Sequence, residues 1–304
     1  MKISLMYFSP TGTTKKVLKA FGKALAGKMG IAEIEEIDFT LKKNREIAYS
    51  YSDKDLVVLG VPVYAGRVPN VLKEFLTSIQ GNGALGLASV LYGNRSFDDA
   101  LVELRDIMKD DGFRVIGAGA FVGEHSFSQT LGKGRPNTED LEQAEEFAGK
   151  IAEKIQKGSR ENASSENGSN ENSSNENLAS KNGFNKNDMK NDGNLLEDFF
   201  VQGETPYRPY YTPRNMEEEP VKILKVKPKT LDTCTDCKLC AQICPMESIS
   251  FEDPFQVPGI CIKCGACIKF CPVGAKYYDD EGFLGHKEQI ETTFSVPKKN
   301  QFFL

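Results

Sequence analysis

The sequence predicts an α/β chain: a doubly wound, five-stranded parallel sheet followed by a small α+β domain. Three observations carry this. Short apolar runs alternate with stretches of helical period over residues 1–157. All eight cysteines fall between Cys234 and Cys271. Between these regions, 18 of the 37 residues Gly158–Asn194 are Asn or Ser, which leaves too little apolar surface to offset ordering entropy. The 304 residues therefore divide into a first domain at 1–157, a disordered linker at 158–197, and a cysteine-bearing domain at 198–304 with an extended N-terminal segment.

Taken in order, Ile3–Phe8 is a short apolar strand. Thr14–Lys28 follows as a helix, with Val17, Leu18, Phe21 and Leu25 on one face. Ala32–Asp38 is a weaker strand, and Leu56–Gly60 is apolar throughout, as in a strand buried on both faces. Then come a helix at Val68–Ile79, a strand at Leu85–Tyr92, a helix at Asp98–Asp110, a strand at Phe113–Phe121 and a charged helix at Thr138–Gln156. Five strands separated by helices imply right-handed parallel crossovers. The linker, as a flexible coil, has an r.m.s. span of roughly 33 Å, enough to let the two domains touch. Residues 199–230 are rich in Pro and Tyr and read as extended.

Charge and hydropathy narrow the function classes. A net charge of −5 argues against a nucleic-acid backbone as partner. Mean hydropathy is −0.40, and no apolar run reaches the roughly 18 residues of a membrane span. Met1–Phe8 is too short for the apolar core of a secretory signal. A cytoplasmic location is expected, where crowded cysteines point to metal rather than disulfides.

The cysteines form two blocks of one spacing. Cys234-x2-Cys237-x2-Cys240-x3-Cys244-Pro245 is followed by Cys261-x2-Cys264-x2-Cys267-x3-Cys271-Pro272. This is the bacterial two-cluster run, in which the fourth cysteine serves the other cluster. Spacing therefore assigns Cys234, Cys237, Cys240 and Cys271 to one [4Fe–4S] cluster, and Cys261, Cys264, Cys267 and Cys244 to a second. Zinc also suits paired C-x2-C motifs, but gives no reason for the third cysteine or for the Cys-Pro. The chemistry implied is one-electron transfer.

Ser9-Pro10-Thr11-Gly12-Thr13-Thr14 joins the first strand to the first helix, where a doubly wound sheet presents N–H groups and hydroxyls to phosphate. It is neither a Walker A loop nor G-x-G-x-x-G. Its hydroxyl pattern resembles the phosphate loop of flavodoxins, although a Ser/Thr loop alone also serves as a plain helix cap. Two more loops lie at carboxyl ends of strands. Pro62, Tyr64, Ala65 and Gly66 follow the third strand; Tyr92, Gly93, Asn94 and Arg95 follow the fourth. Each sets a tyrosine beside a glycine, as stacking on an isoalloxazine requires. His125 reads first as structural, with a flavin-edge or substrate role as the alternative, and His286 reads as a surface residue.

With these loops, Gly119–Ser126, Gly203–Tyr207 and the two Cys blocks, the chain resembles the flavodoxin–ferredoxin fusion proteins of anaerobes. The resemblance implies a flavodoxin-like sheet of order 2-1-3-4-5 binding FMN through Ser9, Thr11, Gly12, Thr13, Thr14 and the two tyrosine loops. A ferredoxin domain with two [4Fe–4S] clusters follows. The Asn/Ser insertion departs from the shorter linkers expected of such proteins. The function expected is an electron relay among FMN, the clusters and an external redox partner, with electron carriage favoured over substrate conversion. An FMN-dependent reductase fed by the clusters and a cluster-based redox sensor are the alternatives. An oxidised cluster with four thiolates carries about −2, and so does the FMN phosphate. A loaded chain would then stand near −11, so its partner is expected to offer a basic docking patch.

Overall fold

The computed structural model describes residues 1–166 and 199–304. Strands β1 (Lys2–Tyr7), β2 (Ile34–Asp38), β3 (Asp55–Pro62), β4 (Leu85–Tyr92) and β5 (Arg114–Val122) pair in parallel. A sixth strand, β8 (Gln301–Phe303), adds antiparallel to β5. The order is β2-β1-β3-β4-β5-β8, so the expected 2-1-3-4-5 core is present. The five-strand count is corrected by a strand from the far end of the chain.

Strand alternation decides which residues face which layer. Leu5, Leu56 and Val58 point to α1 (Thr13–Met29) and α4 (Thr138–Glu166), against Leu18, Phe21 and Ile151. Met6, Val57 and Leu59 point the other way, toward Leu101, Leu104 and Met108 of α3 (Ala100–Asp110). These side chains are at most 3% exposed, and each contributes roughly 1.5–3 kcal/mol by burial. Gly30, at φ 67°, ends α1 with its N–H on the Ala26 carbonyl, as a left-handed C-terminal cap does.

Two expected elements differ. The helix placed at Val68–Ile79 is a 3₁₀ turn, Asn70–Leu72, running into a single α-helical turn, α2 (Lys73–Leu76). The run Pro69-Asn70 restricts its start. Helix α4 continues to Glu166, so residues 158–166 of the expected linker are helical. The remainder of the expected linker, residues 167–197, lies outside the described residues.

Residues 199–211 lie on the first domain. Val201 is buried in its core, and the Tyr207 hydroxyl donates to Asp106 at 2.7 Å. Fully buried Asp99 accepts from the Glu204 and Arg208 N–H groups at 3.0 and 2.7 Å. The cysteine blocks follow, with a two-stranded ribbon of β6 (Lys229–Thr230) and β7 (Lys276–Tyr277) and short helices α5 (Leu239–Gln242) and α6 (Ala266–Lys269). Helix α7 (Glu281–Thr293) is capped by Asp280, which accepts from the Phe283 N–H at 2.8 Å. The tail then returns to the sheet as β8, where Phe302 stacks on Phe147 with centroids 4.8 Å apart.

Candidate functional site

A cavity opens at the carboxyl ends of the parallel strands, where open α/β sheets bind ligands. Ser9, Thr11, Thr13 and Thr14 line one end; Pro62, Tyr64, Tyr92 and Gly93 line the other. Gly12, at φ 83°, turns the chain into α1. Gly12 is the N-cap, and Ser9, three residues earlier, satisfies a first-turn donor by accepting the Lys15 N–H on its Oγ at 3.0 Å. Thr14 is 1% exposed, and its Oγ1 has no hydrogen-bond partner among the described residues. An orphaned buried hydroxyl at a helix N-terminus suits a phosphate oxygen, because the first N–H groups of the helix are also free of intrahelical acceptors.

The second halves of the two tyrosine loops lie outside the cavity lining. The Asn94 side chain is buried and donates to the Phe294 and Val296 carbonyls at 2.6 and 3.0 Å. It also accepts the Lys298 N–H at 2.9 Å. Arg95 pairs with Asp98 and lies over the Tyr211 ring, 4.3 Å from its centroid. The Ala65 carbonyl accepts the Tyr211 N–H at 2.8 Å. The Gly66 carbonyl accepts from Asp99, and a Cβ on Gly66 would strike Asp98. Asn94 thus holds the C-terminal tail, and Ala65 and Arg95 hold the Tyr/Pro-rich segment. Tyr92 turns its ring into the core against Phe97, centroids 5.5 Å apart, and its hydroxyl donates to the Lys299 carbonyl at 3.0 Å. That leaves Tyr64 as the partly exposed tyrosine in the lining.

The loop after β5 supplies Glu124, His125 and Ser126. His125 packs against Gly93, where a Cβ would stand 2.6 Å from the His125 Cα. Its Nδ1 accepts the Phe127 N–H at 3.1 Å. Burial, then the positive charge of His286, Lys269 and Arg95, pulls the His125 imidazole down to about 3. Burial would raise the Glu124 carboxyl, but the Gly134 N–H and the Lys269 ammonium outweigh it and hold the group below its usual range. His286, expected at the surface, is 4% exposed, with Nδ1 3.0 Å from the Arg214 carbonyl oxygen.

Among the described residues, no three His, Cys, Asp or Glu side chains are placed to hold a single metal ion. The cysteines instead ring two cavities. Cys244, Cys261, Cys264 and Cys267 share one; Cys234, Cys237, Cys240 and Cys271 share another. The exchange of the fourth cysteine expected from spacing is thus what the fold brings together. The blocks match residue for residue. Asp236 and Lys263 have φ of 55° and 56°, Lys238 and Gly265 have 60° and 74°, and Glu247 and Gly274 have 51° and 63°. The fourth residue after each Cys-Pro cysteine donates its N–H to that sulfur: Ser248 to Cys244 at 3.3 Å, Ala275 to Cys271 at 3.2 Å. Burial pushes the Cys264 thiol up to about 12. At Cys271 burial is outweighed by N–H groups of residues 273–276, and the thiol falls below its ordinary value.

The two sites meet. Cys264 lines the cavity at the strand ends as well as its own. Burial and the Cys264 and Cys261 thiols raise the Tyr64 hydroxyl well above its ordinary value. No sequence pattern in either half signals this junction, because it depends on how the halves pack.

A doubly wound sheet with a hydroxyl-lined phosphate loop, joined to two four-cysteine cavities, defines a redox protein of flavin and iron–sulfur type. The family comparisons agree: the flavodoxin domain family matches residues 4–91, and the 4Fe-4S binding domain family matches residues 231–247 and 255–277. The chain carries an N-terminal flavodoxin domain and two 4Fe–4S ferredoxin-type motifs, which imply FMN and two [4Fe–4S] clusters as cofactors. Among solved structures, an archaeal flavodoxin is 20% identical, covering 51% of this chain and 99% of its own, with a TM-score of 0.37. Megasphaera elsdenii flavodoxin is 20% identical over 49% and 98%, TM-score 0.34. Rubredoxin oxygen:oxidoreductase of Desulfovibrio gigas is 16% identical over 51% and 36%, TM-score 0.38. No curated protein matches. The domains establish a redox electron-transfer role, and no helix among the described residues is long and apolar enough to cross a membrane.

Proposed function

We propose that the chain relays electrons internally, between the flavin site, a proximal cluster held by Cys244, Cys261, Cys264 and Cys267, and a distal cluster held by Cys234, Cys237, Cys240 and Cys271. From there they exchange with an external redox protein. FMN supplies a centre that exchanges one or two electrons, and each cluster exchanges one. The observation that carries the order is Cys264, which stands in the walls of both the flavin cavity and the proximal cysteine cavity. Electron tunnelling weakens steeply with distance, so a shared wall favours this step over any other. Thr14, Ser9 and the N-terminus of α1 hold the phosphate, and Tyr64 covers the ring. At the other end Cys237 is exposed, and Asp232, Asp236 and Glu252 are exposed near it in the chain. A partner with a basic patch fits that face.

The test is anaerobic purification with iron, sulfide and flavin assays, followed by stopped-flow reduction at several protein concentrations. Flavin and cluster absorbance should equilibrate at a first-order rate independent of concentration. Equilibration that scales with protein concentration would overturn the relay.

A further inference from the structure

The two cysteine blocks are near-copies, and the places where they differ report what each block does besides binding its cluster. At the residue after the second cysteine both backbones are left-handed, with φ 60° at Lys238 and 74° at Gly265. The turn itself therefore accepts a side chain, despite the usual preference for glycine there. Space separates them. A Cβ on Gly265 would fall inside the contact distance of the Ser126 carbonyl oxygen and 3.3 Å from its carbon. Ser126 lies in the flavin-cavity wall. The Lys238 side chain instead reaches Asp236 at 2.8 Å and the Glu252 carbonyl at 2.6 Å, both within its own half.

A second contact sits at the other end of the same short helix. Lys269 of α6 pairs with Glu124 at 3.0 Å, with the lysine side chain 18% exposed. Glu124 also lines the flavin cavity. A third lies on the far side of the Cys-Pro step, where Arg45 donates to the Pro245 carbonyl at 2.6 Å.

We propose that Gly265 and Lys269 are positioning residues that dock the proximal cysteine block on the lip of the flavin cavity, and that this docked arrangement is the one in which electrons cross. The inference rests on the relay reading. It adds that the crossing depends on a built contact rather than on chance encounter of two tethered domains.

The experiment uses the full chain loaded with both cofactor types. Gly265→Lys gives the proximal block the residue its sister block already carries. Lys269→Glu breaks the ion pair without touching a turn, and Glu124→Lys added to it restores opposite charges. Lys238→Gly is the control. Two readouts are taken: hydrogen exchange at residues 123–127 and 263–270, and the first-order rate of flavin–cluster equilibration. Gly265→Lys and Lys269→Glu should each speed exchange and slow equilibration, by about tenfold or more for the forced overlap and by about two- to fivefold for the part-exposed ion pair. In Lys269→Glu, which lies outside both cavity linings, iron, sulfide and flavin content should stay at wild type. The charge-reversed pair should recover the slow exchange, and Lys238→Gly should change neither readout. Unchanged exchange in Gly265→Lys and Lys269→Glu would overturn the docking role. So would iron loss in Gly265→Lys accompanied by unchanged exchange in Lys269→Glu, because the glycine would then serve the cluster turn alone. If wild-type equilibration proves bimolecular, the relay fails, while the exchange data still decide whether the contact exists.

Discussion

Thr14 presents opposite demands in the empty and loaded site. Its Oγ1 is buried without a partner, and an unsatisfied buried hydroxyl costs about 1–3 kcal/mol. Thr14→Val should therefore leave the flavin-free chain as stable or slightly more so in urea melts. FMN affinity should fall by about ten- to a hundredfold, the range of a hydrogen bond to a charged group. Equal loss of both would mean the hydroxyl serves the fold. His125 makes a second prediction. Its native value near 3 lies below the ordinary 6.5, so the unfolded chain takes up the proton first. The stabilisation is complete above about pH 6.5 and is lost as pH falls toward 3, by at most about 1.4 kcal/mol per pH unit. His125→Gln should remove about that much of the difference between melts at pH 7.5 and 5.5, while His286, also lowered by burial, keeps the remainder. The phosphate loop was legible because its hydroxyls sit at one strand–helix junction. The structural contacts of Asn94 and Arg95 were not legible, since their partners, Phe294, Val296, Lys298 and Tyr211, lie more than a hundred residues away.

Two straps hold the cysteine body to the sheet. The first is the Tyr/Pro-rich segment, pinned by Asp99 and by Arg67, which donates to Glu103 in two bonds of 2.7 Å and to the Arg208 carbonyl at 2.6 Å. A redox sensor working through this segment would have to break a buried charge network, which is costly. The second is the tail, where Asn300 accepts the Val122 N–H at 2.8 Å and donates to Asp140 and Gln143 at 2.9 and 2.8 Å. Asn94→Ala strands three partners of this tail, so it should cost about 3 kcal/mol in denaturant melts at roughly 1 kcal/mol per lost bond. FMN affinity should remain within about twofold, as expected for a site outside the cavity lining. A large affinity loss would return Asn94 to the binding site. Strands β1, β3, β4 and β5 were legible because parallel strands buried on both faces read as near-unbroken apolar runs, and edge strand β2, IEEID, gave the weaker signal. Strand β8 was not: three residues, Gln301–Phe303, show no period, and their place depends on the open edge of β5.

At the scale of the whole molecule, charge separates the inner step from the outer one. The formal −5 becomes about −11 once two clusters and FMN are bound. Most of that increment lies in the cysteine body. The flavin–proximal junction is lined by side chains of the same chain, including Cys264, Tyr64 and Glu124, at a fixed short separation that salt screens less than an encounter between molecules. The distal block faces solvent at Cys237, so encounter with a partner there feels the full ionic atmosphere. Raising ionic strength from about 0.05 to 0.5 M shortens the Debye length to well under 10 Å. Electron transfer from the reduced protein to a cationic artificial acceptor should then slow by about tenfold or more, whereas transfer to an anionic acceptor of equal potential should quicken. The internal flavin–cluster rate should stay constant over the same range. Stopped-flow traces at four salt concentrations check all three rates. An internal rate that follows salt as the external one does would mean the halves meet by diffusion, and an external rate indifferent to the acceptor's charge would remove the case for a basic partner.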